Sequence, residues 1–110
     1  MVLFDLVGDC ELEIPLEAGS DPALYGLFAN AAANASTENP FQGASGPVGD
    51  DHVPFLEAGI PAVDLIDFDF GPGPSPGAYW HTAEDTIDKV CPESLDAVGE
   101  AALVAIPGIR

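Results

Sequence analysis

Residues 50–66 read Asp50-Asp51-His52-Val53-Pro54-Phe55-Leu56-Glu57-Ala58-Gly59-Ile60-Pro61-Ala62-Val63-Asp64-Leu65-Ile66, and the reading of this stretch decides the fold class. Its first ten residues predict a short helix. An Asp caps it, Pro54 stands in the first turn where no N–H is needed, and Gly59 ends it. Residues 60–66 predict a short apolar strand interrupted by Asp64. A helix that passes through a tight glycine turn into a strand has the rhythm of an α/β fold.

Working outward toward the amino end, residues 2–7 form another short apolar run, with Asp5 inside it. This predicts a second buried strand. Residues 11–14 alternate acid and apolar, which predicts a short edge strand closed by Pro15. Ser20 or Asp21 can cap a helix that opens on Pro22, and Leu24, Leu27, Phe28, Ala31 and Ala32 fall on one of its faces. Residues 34–49 are rich in Asn, Ser, Gly and Pro and read as an irregular loop. The formal sequon Asn34-Ala35-Ser36 falls in it.

Toward the carboxyl end, Gly71-Pro72-Gly73-Pro74-Ser75-Pro76-Gly77 is a stiff, turn-rich loop without the Gly-Lys-Ser/Thr element of a phosphate loop. A final helix starts at Pro92. Glu93 suits its positive end, Leu95, Val98, Ala102, Leu103 and Ile106 predict one apolar face, and Pro107-Gly108 stops it. No internal repeat is present.

A chain of 110 residues supports a single domain. Its 47% hydrophobic content sets it apart from disordered tails. Nineteen acids stand against Lys89 and Arg110, a formal net charge of −17. Nucleic-acid binding needs basic surface to neutralise phosphates. That surface is missing, and the same argument excludes anionic membranes. No apolar run approaches the ~20 residues of a membrane helix. The segment Met1-Val2-Leu3-Phe4-Asp5 has no basic lead-in, so no signal peptide is expected. Cys10 and Cys91 do not form a C-x-x-C pair. A disulfide and two free thiols are both compatible with their positions.

The only histidines are His52 and His81, each flanked by acids. Imidazole with carboxylates is the donor set of zinc hydrolases, and equally the setting of an ordinary histidine among surface acids. Asp5 is more pointed. A charge inside an apolar strand is costly unless a metal, a cation or hydrogen bonds compensate it, and cations are scarce here. A metal and a set of backbone amides both answer that need. No G-x-S-x-G element is present for a serine nucleophile.

Four blocks now stand in order: Phe4-Asp5-Leu6-Val7-Gly8, Gly49-Asp50-Asp51-His52-Val53-Pro54-Phe55-Leu56, Gly59-Ile60-Pro61-Ala62-Val63, and Trp80-His81-Thr82-Ala83-Glu84-Asp85-Thr86. Their sequence resembles the zinc aminopeptidase family that also contains the animal-type glutaminyl cyclases. The resemblance implies an α/β fold, a mixed and mostly parallel sheet with flanking helices. Residues 1–110 would be one partial domain, the C-terminal portion of that fold. It implies a peptide substrate and zinc as cofactor. Asp5 and His81 match zinc ligands of the peptidases. In the cyclases the position of Asp5 holds a hydrogen-bonding acid, Asp50 belongs to the same acidic network, and Trp80 matches an indole beside the substrate. Asp51 and His52 belong to the second block without an assigned role.

The remaining family ligands, an early His, a bridging Asp and a Glu pair, are expected upstream of Asp5, which only four residues precede. The chain therefore resembles roughly the last third of the domain and has no recognisable general base. The leading expectation is a piece of a zinc aminopeptidase, inactive alone. A piece of a glutaminyl cyclase is the second. A non-catalytic module, truncated or completed by another chain, is the third. Strands without their neighbours invite self-association.

Overall fold

The apolar run at the amino end forms strand β1 (Val2–Asp5), and the run after the glycine turn forms strand β2 (Val63–Ile66). The computed structural model describes residues 1–35 and 39–110. It pairs the strands in parallel, with Val2 opposite Val63, Leu3 opposite Asp64, Phe4 opposite Leu65 and Asp5 opposite Ile66. Parallel neighbours need a long crossover rather than a hairpin. Here it carries helix α1 (Pro22–Asn34) and helix α2 (Val53–Glu57). Both strands are shorter than expected. Leu6 turns out of β1 with φ 50°, and Pro61 has no N–H to give a ladder.

Helix α1 starts where the carboxylate of Asp21 accepts the N–H groups of Ala23 and Leu24 at 2.8 and 2.9 Å. It buries Tyr25, Phe28, Ala31 and Ala32. These meet Ile14, Phe41, Val63 and Leu65 in one core, together with Val98, Ala101 and Ala105 of helix α3 (Pro92–Ala105). Phe28 is fully buried and takes the edge of Phe4 at 5.7 Å between ring centres. The Tyr25 hydroxyl enters the core with a partner, donating to the carbonyl of Ile14 at 2.8 Å.

Three expectations need correction. Residues 11–14 form no strand. The Ile14 N–H donates to the Pro40 carbonyl at 2.8 Å and the Leu16 N–H to Gly43 at 3.1 Å, so the segment is held by the loop beside it. The start of α2 is not capped by an Asp side chain: His52 holds the cap position without a side-chain cap bond. Helix α3 buries Ser94, Val98, Ala101 and Ala105, whereas Leu95, Leu103 and Ile106 are 47%, 79% and 50% exposed. Helix separation depends on the side chains at the contact, and the alanines let α3 approach α1 closely. The expected stripe was centred on the bulkier residues next to them.

Two connections close the frame. Cys10 and Cys91 form a disulfide with their Cα atoms 4.9 Å apart, resolving the question the sequence leaves open. The Cys91 N–H also donates to the Gly8 carbonyl at 2.9 Å, and the Ser94 hydroxyl to that of Asp9 at 2.6 Å. At the end of α2, Gly59 takes φ 75°, which lets the Ile60 N–H reach back to Phe55 at 2.9 Å and turns the chain into β2. Ser36 of the sequon lies outside the described residues.

Candidate active site

Side chains alternate across a strand, and residues paired in register share a face. Val63 and Leu65 point into the core. Asp64 therefore points to the opposite face, and the pairing of Leu3 with Asp64 puts Leu3 and Asp5 on that face too. Two acids 59 positions apart are brought to one side of the sheet by register alone.

Asp5 ends β1 partly buried, and its Oδ1 accepts the N–H of Leu6 at 3.0 Å. Asp50, from the turn before α2, meets it carboxyl to carboxyl at hydrogen-bond distance. Burial, the charge of Asp50 and that shared hydrogen bond push the Asp5 carboxyl above its ordinary range, against the pull of the Leu6 amide. Asp51 is exposed, and its N–H donates to Asp50 Oδ1 at 2.7 Å.

His52 lies inside the protein, fully buried. Its Nε2 is 3.3 Å from Glu17 Oε2 and its Nδ1 is 3.6 Å from Asp64 Oδ2. Burial raises the Asp64 carboxyl to about 7, helped by the charges of Asp50, Asp5 and Glu17. Burial also pushes Glu17 upward, but the N–H groups of Gly19 and Val48, the Ser20 hydroxyl and His52 together hold it below its ordinary value.

Trp80 is half-buried, edge-on to Phe68 at 5.6 Å, and its ring stacks on that of His81 at 3.8 Å and 9°. The loop leading to them folds back on itself. The Tyr79 N–H donates to the Phe70 carbonyl at 3.2 Å, and Gly77 (φ 87°) passes so close that a Cβ there would strike that carbonyl. His81 is exposed, and no hydrogen bond or ion pair joins it to Asp5 among the described residues. Leu6 at φ 50° and His81 at φ 53° are the two non-glycine residues described with left-handed backbone. Such strain gathers at functional sites, and both adjoin residues singled out by sequence. A cavity of about 780 Å³ opens nearby, lined by Asp9, Glu13, Asp67 and Tyr79 among others, but not by Asp5, Asp50, Trp80 or His81.

The model of peptidase family M28 matches residues 1–106. The chain belongs to that family. Among solved structures, the glutaminyl cyclase of an Acidobacteriales bacterium superposes with a TM-score of 0.85 at 39% identity, covering 96% of this chain and 37% of that one. A Zn-dependent exopeptidase from Parabacteroides distasonis superposes at 0.79 with 25% identity, covering 94% of this chain and 38% of that one. The glutaminyl-peptide cyclotransferase of Boiga irregularis is 37% identical over 60 residues, 54% of this chain and 15% of that protein. The chain is thus a short piece of the larger M28 fold, spanning well under half the length of these relatives.

The Parabacteroides distasonis exopeptidase is Zn-dependent. Catalytic zinc takes three protein ligands and an open position. Among the described residues no group of three His, Cys, Asp or Glu side chains is arranged to hold a metal, so these residues do not by themselves make a zinc site. Sequence reading passed over Glu17 and took Asp64 only as a break in its strand, with no part in the site. The signal that singles out Asp5, an acid inside an apolar strand, is equally present at Asp64. Glu17 carries no such mark, since its burial is created by the fold around it.

Proposed function

We propose that this chain supplies the acid network of an M28 enzyme that cyclises N-terminal glutamine, and that it is inactive without the remainder of that fold. What carries this reading is the likeness to the Acidobacteriales glutaminyl cyclase, 39% identical and covering 96% of this chain, with the carboxyls of Asp5 and Asp50 near each other as support. In the peptidase resemblance Asp5 is a metal ligand. In the cyclase resemblance it is a hydrogen-bonding acid joined to Asp50, and the nearness of the two carboxyls supports that reading. The solved glutaminyl cyclase at 39% identity supports the same choice.

Ring closure requires the α-amino nitrogen to attack the side-chain amide carbon while ammonia departs. A proton must leave the amine and reach the departing nitrogen. A partly buried carboxyl beside a second one can accept a proton and return it. Asp50 and Asp5 are the residues for that transfer, Trp80 a wall for the substrate, and His81 a donor toward metal completed by residues outside this chain. Asp51 and His52 take no part at the substrate.

The test compares ammonia release from a glutaminyl peptide with amino-acid release from a leucyl peptide. It uses the product of the gene's full open reading frame, with Asp5→Asn and Asp50→Asn as controls. Cyclisation lost in both variants supports the proposal. Hydrolysis of the leucyl peptide without cyclisation would replace it with the aminopeptidase reading, and the absence of both reactions with the non-catalytic one.

A further inference from the structure

His52 is fully buried, yet it stands two positions from Asp50. Both its ring nitrogens face carboxylates from distant parts of the chain, Glu17 at 3.3 Å and Asp64 at 3.6 Å. Those partners are themselves tied down. Glu17 Oε1 accepts the N–H groups of Gly19 and Val48 at 2.9 Å each, and Oε2 accepts the Ser20 hydroxyl at 2.8 Å. The Ser20 oxygen in turn accepts the Asp64 N–H at 2.9 Å. Neither ring nitrogen makes a hydrogen bond among the described residues, so what holds the imidazole besides packing is the field of the facing carboxyls, which a low-dielectric interior screens little.

The backbone links the buried ring to Asp50. The Val53 N–H donates to the Asp50 carbonyl at 3.0 Å, and those of Phe55 and Leu56 to His52 at 3.1 and 3.2 Å. Asp51 and His52 are therefore the central residues of the turn that Asp50 opens. Fixing the His52 ring fixes the turn, and the turn aims the Asp50 carboxyl.

We propose that His52, buried between Glu17 and Asp64, is a positioning residue that sets Asp50 against Asp5. The proposal rests on the reading that this acid pair is the working network. A histidine that only filled space would not need two buried carboxylates facing it. The Glu17 carboxylate makes it costly to replace with an apolar residue, because that buried charge would lose the group facing it.

Amide hydrogen exchange followed by NMR tests it on the 110-residue chain in dilute salt. The reporter is the Leu6 N–H, which donates to Asp5 Oδ1. The controls are the N–H groups of Ile14 and Tyr25, bonded to Pro40 and Asp21. Glu17→Gln keeps the side chain's volume and an acceptor oxygen but removes the charge facing His52. We expect about tenfold faster exchange at Leu6 in Glu17→Gln, His52→Asn and Asp50→Asn, with the controls unchanged. The Glu17→Gln, Asp50→Asn double variant should exchange no faster than either single one, because the effect passes through Asp50. An unchanged Leu6 in Glu17→Gln, additive effects in the double variant, or equal acceleration at Ile14 and Tyr25 each overturns the proposal. If His52→Asn does not fold, the Glu17→Gln and double-variant arms decide. No substrate enters this experiment, so its failure is distinct from failure of the cyclisation reading, which the ammonia assay reports.

Discussion

Cys10 and Cys91, 81 positions apart, are joined by a disulfide. The bond ties the segment leaving β1 to the residue that precedes α3, and so links the acid-bearing strand to the helix behind the core. A cross-link over so long a loop restricts the unfolded chain far more than the folded one. Removing it by Cys10→Ser with Cys91→Ser should lower the unfolding free energy by about 2–4 kcal/mol, measured by denaturant titration under non-reducing conditions. An unchanged midpoint would show that the bond adds nothing to the fold.

Stability should fall between pH 5 and pH 8. Asp64 is raised to about 7 from 3.8 in the folded state. The folded chain then holds a proton that the unfolded chain has released, and stability drops as pH rises through that interval. Asp5 is raised as well and acts in the same sense. Glu17 is opposite: its folded value lies below 4.5, so its contribution is intact across this interval and is lost only at lower pH. Melting temperatures at fixed ionic strength should decline from pH 5 to pH 8, and Asp64→Asn should flatten the decline. A curve that rises over the interval contradicts this.

Salt should promote association. Leu103, Val104 and Ile106 are 79%, 68% and 50% exposed at the end of α3, while the net charge of −17 keeps copies apart. At about 0.1 M salt the screening length falls to ~10 Å. Sedimentation should show monomers in dilute buffer and larger species in salt, with Leu103→Glu remaining monomeric. A wild-type chain that stays monomeric at high salt rules out this apolar end as an association surface.

Zinc should bind the 110 residues weakly. Asp5 and His81 offer two donors at most, and the described residues hold no three-ligand group. Calorimetry at neutral pH should give a Kd well above about 1 μM, and aminoacyl substrates should not be hydrolysed with or without added zinc. Tight binding abolished by His81→Ala would mean that this chain carries a complete metal site.

The α/β class was legible because it rests on local signals. Pro54 and Gly59 bound α2, Asp21 and Pro22 open α1, and the apolar runs at 2–7 and 60–66 contain the strands observed. The apolar stripe of α3 was less so. Periodicity shows that a helix has an apolar side, but Ala101 and Ala105 won the buried face over Leu103 because the neighbouring helix comes close. The alternation at 11–14 fits a strand, but it cannot show whether a partner strand lies alongside.

By itself, the sequence determined the order of the two strands and three α-helices, the family resemblance, and Asp5 as an acid that needs compensation. Those follow from composition and from neighbours along the chain. Only the tertiary structure decided what compensates Asp5, which side of the sheet Asp64 faces, that Cys10 meets Cys91, and that His52 is buried between Glu17 and Asp64. Each of these depends on groups far apart in the chain. The register of β1 on β2 and the burial of Glu17 arise only when the crossover closes, and the protonation of the acids follows from that burial.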